Sequence, residues 1–169
     1  LHYKLILLLE DKVKKTLLCV LCFFCLFGVT FAQFSIEKLD AGGNLGTNMN
    51  SRTGWAFGFG IHGDYEIIDN LKAGLQLGFS FSDDMFVFEP SVYGKYYFPF
   101  LSFFGFTPFA QLDLGASVLN ITEEKTYGRF LVGIGAGLRY EIGKLYIEPK
   151  ITWGYPFMLA INAVVGYKF

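Results

Sequence analysis

The residues best suited to chemistry in this sequence are His62, Asp64 and Glu66, one imidazole and two carboxylates at alternating positions. Residues two apart share a face of an extended chain, so the three could act together as a proton relay or a metal site. Yet His62 is the only histidine beyond position 32, and Cys19, Cys22 and Cys25 all lie before it. A transition-metal site draws on several imidazoles or thiolates, and a nucleophilic triad needs a serine beside its base. Neither set is supplied, so the expectation is no enzyme, no metal and no cofactor. The run Gly133-Ile134-Gly135-Ala136-Gly137 resembles a phosphate loop on paper. No helix follows it, and its glycines read instead as small residues relieving crowding on one face of a strand.

Strands must position these groups. Asn70 to Asp84 reads NLKAGLQLGFSFSDD, with Leu71, Ala73, Leu75, Leu77, Phe79 and Phe81 on one face and Lys72, Gly74, Gln76, Gly78, Ser80 and Ser82 on the other. Strict period two is a β-strand signal. The same alternation recurs from Leu39 to Phe169, broken by turn signals at Ile68-Asp69-Asn70, Ser82-Asp83-Asp84 and Ile142-Gly143-Lys144 and by the links TNMNSRT, PFLSFFG and NITEEKTYG. Eight strands result, and no helix-period stretch appears after Gln33. The eighth strand is expected to run from Phe157 to Phe169, with Phe157 on its apolar face.

Volume decides which face meets water. An eight-stranded barrel has an interior just wide enough for side chains to fill. The apolar face carries Trp55, Trp153 and more than a dozen Phe and Tyr, too many for that space, whereas the opposite face is glycine-rich and polar. A chain that is 53% hydrophobic, 19% aromatic and only 17% charged also lacks the charged surface that keeps proteins dissolved. The expected fold is therefore all-β, an eight-stranded antiparallel up-and-down transmembrane β-barrel with its greasy face in lipid. Strands of about 9–11 residues suit that architecture. Aromatics gather toward two rims, Trp55, Phe81, Phe86, Phe130, Trp153 and Phe157 at one and Tyr65, Phe98, Phe103, Tyr140, Tyr167 and Phe169 at the other, as in membrane girdles.

The inward face then collects the charges. Lys72, Lys95, Arg129, Arg139, Lys150 and Lys168 are expected to meet Asp64, Glu66, Glu89, Asp113, Glu141 and Glu148 in a lumenal network, because a buried charge without a partner is very costly. Such a polar plug would hold the barrel shut. Pro90, Pro108 and Pro149 each sit in an apolar-x-Pro-x-apolar pattern within a strand, and each should need a bulge or a strand end.

Ahead of the barrel, Lys12, Lys14 and Lys15 precede the uncharged run TLLCVLCFFCLFGVTFA, which ends in Thr30 and Ala32. This is the layout of a secretory signal peptide over residues 1–32, leaving 33–169 as the barrel, with 1–12 read as an extension before a start at Val13. The formal charge of −1 supplies no basic field for nucleic acid.

In these features the chain resembles the small eight-stranded outer-membrane β-barrels of Gram-negative bacteria, the OmpX-like and OmpA-like class. Gly166-Tyr167-Lys168-Phe169 resembles the assembly signal of that class, with Gly166, Tyr167 and Phe169 as its glycine and aromatic residues. Val164 stands where the pattern has a polar residue. The resemblance implies outer-membrane lipids and the barrel assembly machinery as partners, export through the periplasm, and a structural or surface-interaction role, with an unknown surface partner. A narrow channel for ions or very small solutes is the alternative.

Overall fold

The computed structural model describes residues 34–50, 54–82, 85–121 and 126–169, so the expected signal peptide lies outside the described residues. The chain divides into Leu1–Ile36 and Glu37–Phe169. The second unit is a closed barrel of eight strands in chain order: β1 (Leu39–Asn50), β2 (Gly54–Ile68), β3 (Leu71–Ser82), β4 (Met85–Tyr97), β5 (Phe106–Ile121), β6 (Tyr127–Ile142), β7 (Leu145–Tyr155) and β8 (Leu159–Lys168). Every neighbouring pair is antiparallel, and β1 closes the cylinder against β8 from Asp40↔Lys168 to Met49↔Leu159. Closure removes the open edges that would invite aggregation.

Local chemistry makes the hairpins. Asn70 (φ 66°) and Gly143 (φ 64°) take the left-handed conformation that two-residue turns require, which asparagine and glycine tolerate best. The ladder reaches further than the polar links suggested. TNMN of TNMNSRT joins β1, where Met49 faces Trp55 and Asn50 faces Gly54.

The expected proline bulges are absent. Pairing runs in one register through Leu77↔Pro90, Pro108↔Leu138 and Pro149↔Ala163, and among the described pairs the register shifts only between Glu66 and Ile68. A strand residue directs both backbone polar groups to one neighbour, so a proline costs bonding on that side alone. β4 accordingly skips from Phe88↔Val118 to Ser91↔Gly115 and resumes unshifted.

Most bulky rings do lie outside, but Tyr93, Tyr97, Phe109 and Tyr146 are buried within. Glycines make room for them. Tyr93 faces Gly74, Phe109 faces Gly137 and Tyr146 faces Gly166 across their ladders. A Cβ at Gly74 would come within 2.5 Å of Tyr93 Cζ, whereas one at outward-facing Gly94 would meet nothing within 4 Å. Gly74→Val should therefore cost about 1–3 kcal/mol by overpacking, and Gly94→Ala should be near neutral. Denaturant unfolding of the refolded variants in detergent micelles measures both.

Phe157 also departs from expectation. It belongs to the link between β7 and β8, turns inward, and packs with Met85, Val87 and Leu119 in a buried apolar cluster. β8 begins only at Leu159, so the pleat that would have aimed Phe157 at lipid is not yet established.

Candidate functional site

The lumen toward the chain-terminal end is filled by a cluster of three carboxylates and three cations. Asp40, Asp64 and Glu148 face Lys72, Lys95 and Arg139, all of them buried. Glu148 accepts from Lys95 Nζ at 2.7 Å, Arg139 Nη1 at 3.0 Å and the Tyr97 hydroxyl at 2.8 Å. Arg139 spans the bore, its Nη2 donating to Asp40 Oδ2 at 2.8 Å and its Nε to Glu141 Oε1 at 2.8 Å. Lys72 bonds Asp40 and lies 3.8 Å from Asp64, which also accepts from the Tyr93 hydroxyl at 2.7 Å.

Charge balance and shared partners let this cluster survive burial. An isolated ion there would face a large desolvation penalty, but each charge here has an opposite neighbour within 4.0 Å, and tyrosine hydroxyls add hydrogen bonds to Asp64, Arg139 and Glu148. Aromatic faces complete the packing. The Arg139 guanidinium sits 3.7 Å from the Tyr146 ring centre, and Lys95 Nζ lies 5.0 Å from that of Phe109. His62 Nε2 lies 2.9 Å from the Tyr146 hydroxyl, so it extends this network.

A second polar layer lies deeper in the bore. Gln111 donates to Asp113 at 2.6 Å, and Lys150 donates to Gln76 at 3.3 Å. Glu89, Asp113 and Lys150 line a cavity of about 80 Å³ shared with Asn44, Asn48 and Asn162. At the terminal mouth a wider vestibule of about 220 Å³ is lined by Glu66, Lys72, Tyr97, Arg139, Glu141 and Lys168. The buried ion cluster separates the two spaces.

Of the charges expected to form one network, the structure brings Asp64, Lys72, Lys95, Arg139 and Glu148 into the plug. Glu141 and Lys168 pair at its rim at 3.0 Å, and Glu66 lines the mouth. Glu89, Asp113 and Lys150 stand apart as the second layer. Arg129 stands outside this network among the described residues: it is exposed, and its Nη1 lies 3.4 Å from the Tyr155 hydroxyl. It lies near the start of β6, opposite Ser117 of β5. Asp40 was missing from the expected set although it alternates inward with Gly42 and Asn44. The hydroxyls of Tyr93, Tyr97 and Tyr146 were missing too, and nothing in their spacing signals a partner across the bore.

The outer wall carries the opposite chemistry. Leu75, Ile134, Ile151 and Trp153 are exposed there, Trp153 by 66%. Phenylalanines stack along it, Phe59 on Phe79 at 5.4 Å and Phe79 on Phe88 at 5.2 Å between ring centres. A continuous apolar wall of this extent is a surface for lipid. Tyr167 and Phe169 pair edge to face on it at 5.3 Å, while Gly166 stays inside beneath Tyr146.

A closed eight-stranded antiparallel cylinder, polar within and apolar without, defines a class: the small transmembrane β-barrels of outer-membrane type. Known structures agree on the fold. The chain is similar to the neisserial surface protein NspA (14% identity, TM-score 0.60), over 78% of this chain and 96% of that one. It is similar also to a de novo designed transmembrane β-barrel (12%, TM-score 0.52), with 78% and 96% covered. The attachment invasion locus protein Ail of Yersinia pestis matches over the same shares (14%, TM-score 0.50). No protein-family model matches the sequence, and no curated protein does.

Proposed function

We propose that this protein is a non-enzymatic integral barrel of the Gram-negative outer membrane with a structural or surface-interaction role, its lumen sealed by the Asp40-Asp64-Lys72-Lys95-Arg139-Glu148 cluster. The observation that carries this reading is the burial of that cluster across the bore, with Glu148 fully enclosed. His62 is engaged by a tyrosine hydroxyl, which supports a packing role over a catalytic one. Lipids surround the outer wall, and the barrel assembly machinery reads Gly166, Tyr167 and Phe169 during insertion.

Planar bilayers test the seal. The purified protein should show no steady conductance. The polar cavity and the vestibule favour a second reading, a narrow channel for ions or very small solutes. Steady conductance abolished by bulky substitutions at Gly135 or Gly137 would establish that reading and reject the plug. Folding itself is checked on gels, where the unheated protein in mild detergent should migrate differently from the boiled one.

A further inference from the structure

We propose that the link between β4 and β5 is a lipid-inserted foot, seated in the phospholipid leaflet next to the chain-terminal end of the barrel. This rests on the membrane-barrel reading above.

The links at that end differ sharply in chemistry. β2 and β3 are joined by Asp69-Asn70, and β6 and β7 by Gly143-Lys144. Phe98 to Gly105, FPFLSFFG, carries no charge and four phenylalanines. A short 3-10 turn (Pro99–Leu101) opens it, and consecutive left-handed residues, Phe104 (φ 48°) and Gly105 (φ 83°), turn the chain back into β5. Phe104 is 94% exposed and Phe100 75%. In water these rings would gain nothing from being held out, and a left-handed phenylalanine is itself unfavourable.

Continuity with the lipid-facing wall identifies the occupant. Outward-facing Tyr96 packs edge to face on Phe98 at 5.1 Å, and Phe98 on Phe100 at 5.9 Å. On the other flank Tyr140 meets Phe106 at 5.0 Å, Phe106 meets Phe103 at 6.2 Å, and Phe103 meets Phe104 at 6.4 Å. Both aromatic rows begin on the wall and end in the link, so the link prolongs the surface already assigned to lipid. An uncharged segment that exposes aromatic rings favours the boundary between headgroups and acyl chains.

Tryptophan fluorescence in vesicles of phosphatidylethanolamine and phosphatidylglycerol doped with acyl-brominated phosphatidylcholine tests the assignment. Phe104→Trp, or Phe100→Trp should the first misfold, is placed in a Trp55→Phe/Trp153→Phe background. A Trp55→Phe protein retaining Trp153 reports the barrel wall. Bromines near the headgroup end should quench the link tryptophan at least as strongly as they quench Trp153, and acrylamide should reach it poorly. Ready acrylamide quenching without bromine quenching, while Trp153 responds to bromine, overturns the foot and leaves the barrel reading intact. Shielding from both quenchers means a protein covers the link, and also overturns it. If Trp153 ignores the bromines as well, the membrane reading itself fails.

Discussion

Replacing Glu148 with glutamine should destabilise the folded barrel by about 3–5 kcal/mol, the cost of removing one partner from a buried ion pair. The substitution keeps the shape and withdraws the charge that Lys95 and Arg139 share. Arg139 still has Asp40 and Glu141, but Lys95 is left with Asp64, 4.0 Å away. The six-residue cluster would be left with three cations, Lys72, Lys95 and Arg139, against two carboxylates, Asp40 and Asp64. Reversible guanidinium unfolding in micelles, with tryptophan emission as readout, measures the loss. A companion variant, Lys95→Met/Glu148→Leu, removes both charges and should recover much of the stability, because desolvation and attraction vanish together. Equal stability of Glu148→Gln and the parent would show that the cluster is hydrated and contributes no seal.

The second large effect is expected on the opposite surface. Ile134 lies midway along β6, faces outward and is 59% exposed. Ile134→Arg should cost about 2–4 kcal/mol in a bilayer, the penalty for arginine at the midplane of a barrel wall, falling to about 0–1 kcal/mol near the interface. Phe130→Arg, one rim closer, is the matched control. The comparison also discriminates between solvents for this wall, since a barrel in water would tolerate an exposed arginine at either site and become more soluble. Unfolding from lipid vesicles, with the two variants side by side, provides the test.

These two positions also show how differently the two surfaces were written into the chain. That Ile134 faces away from the bore and Gly135 into it follows from period two alone, because side-chain direction in a strand is a local property of the backbone. The number of strands, the short hairpins at Asn70 and Gly143, and the exclusion of most rings from the interior follow from equally local facts plus a volume argument. The proline expectation failed for a local reason of another kind. Loss of bonding to one neighbour suffices in place of a bulge, as the unshifted register through Pro90 and Pro149 shows.

Partnership across the bore was not legible. Arg139 and Asp40 are 99 positions apart in the chain and meet at 2.8 Å, a distance set by how the closed sheet is staggered. Stagger is a property of the whole cylinder, so no strand pattern determines which inward charges reach each other. The same closure puts Arg129 outside the network, draws Asp40 into it, and supplies the tyrosine hydroxyls that complete it. Sequence alone determined that this chain has a greasy face and a charged one, because alternation is local. Only the tertiary structure decided that six of those charges make a plug and that the aromatic link continues the wall, because both depend on contacts between strands brought together by closure.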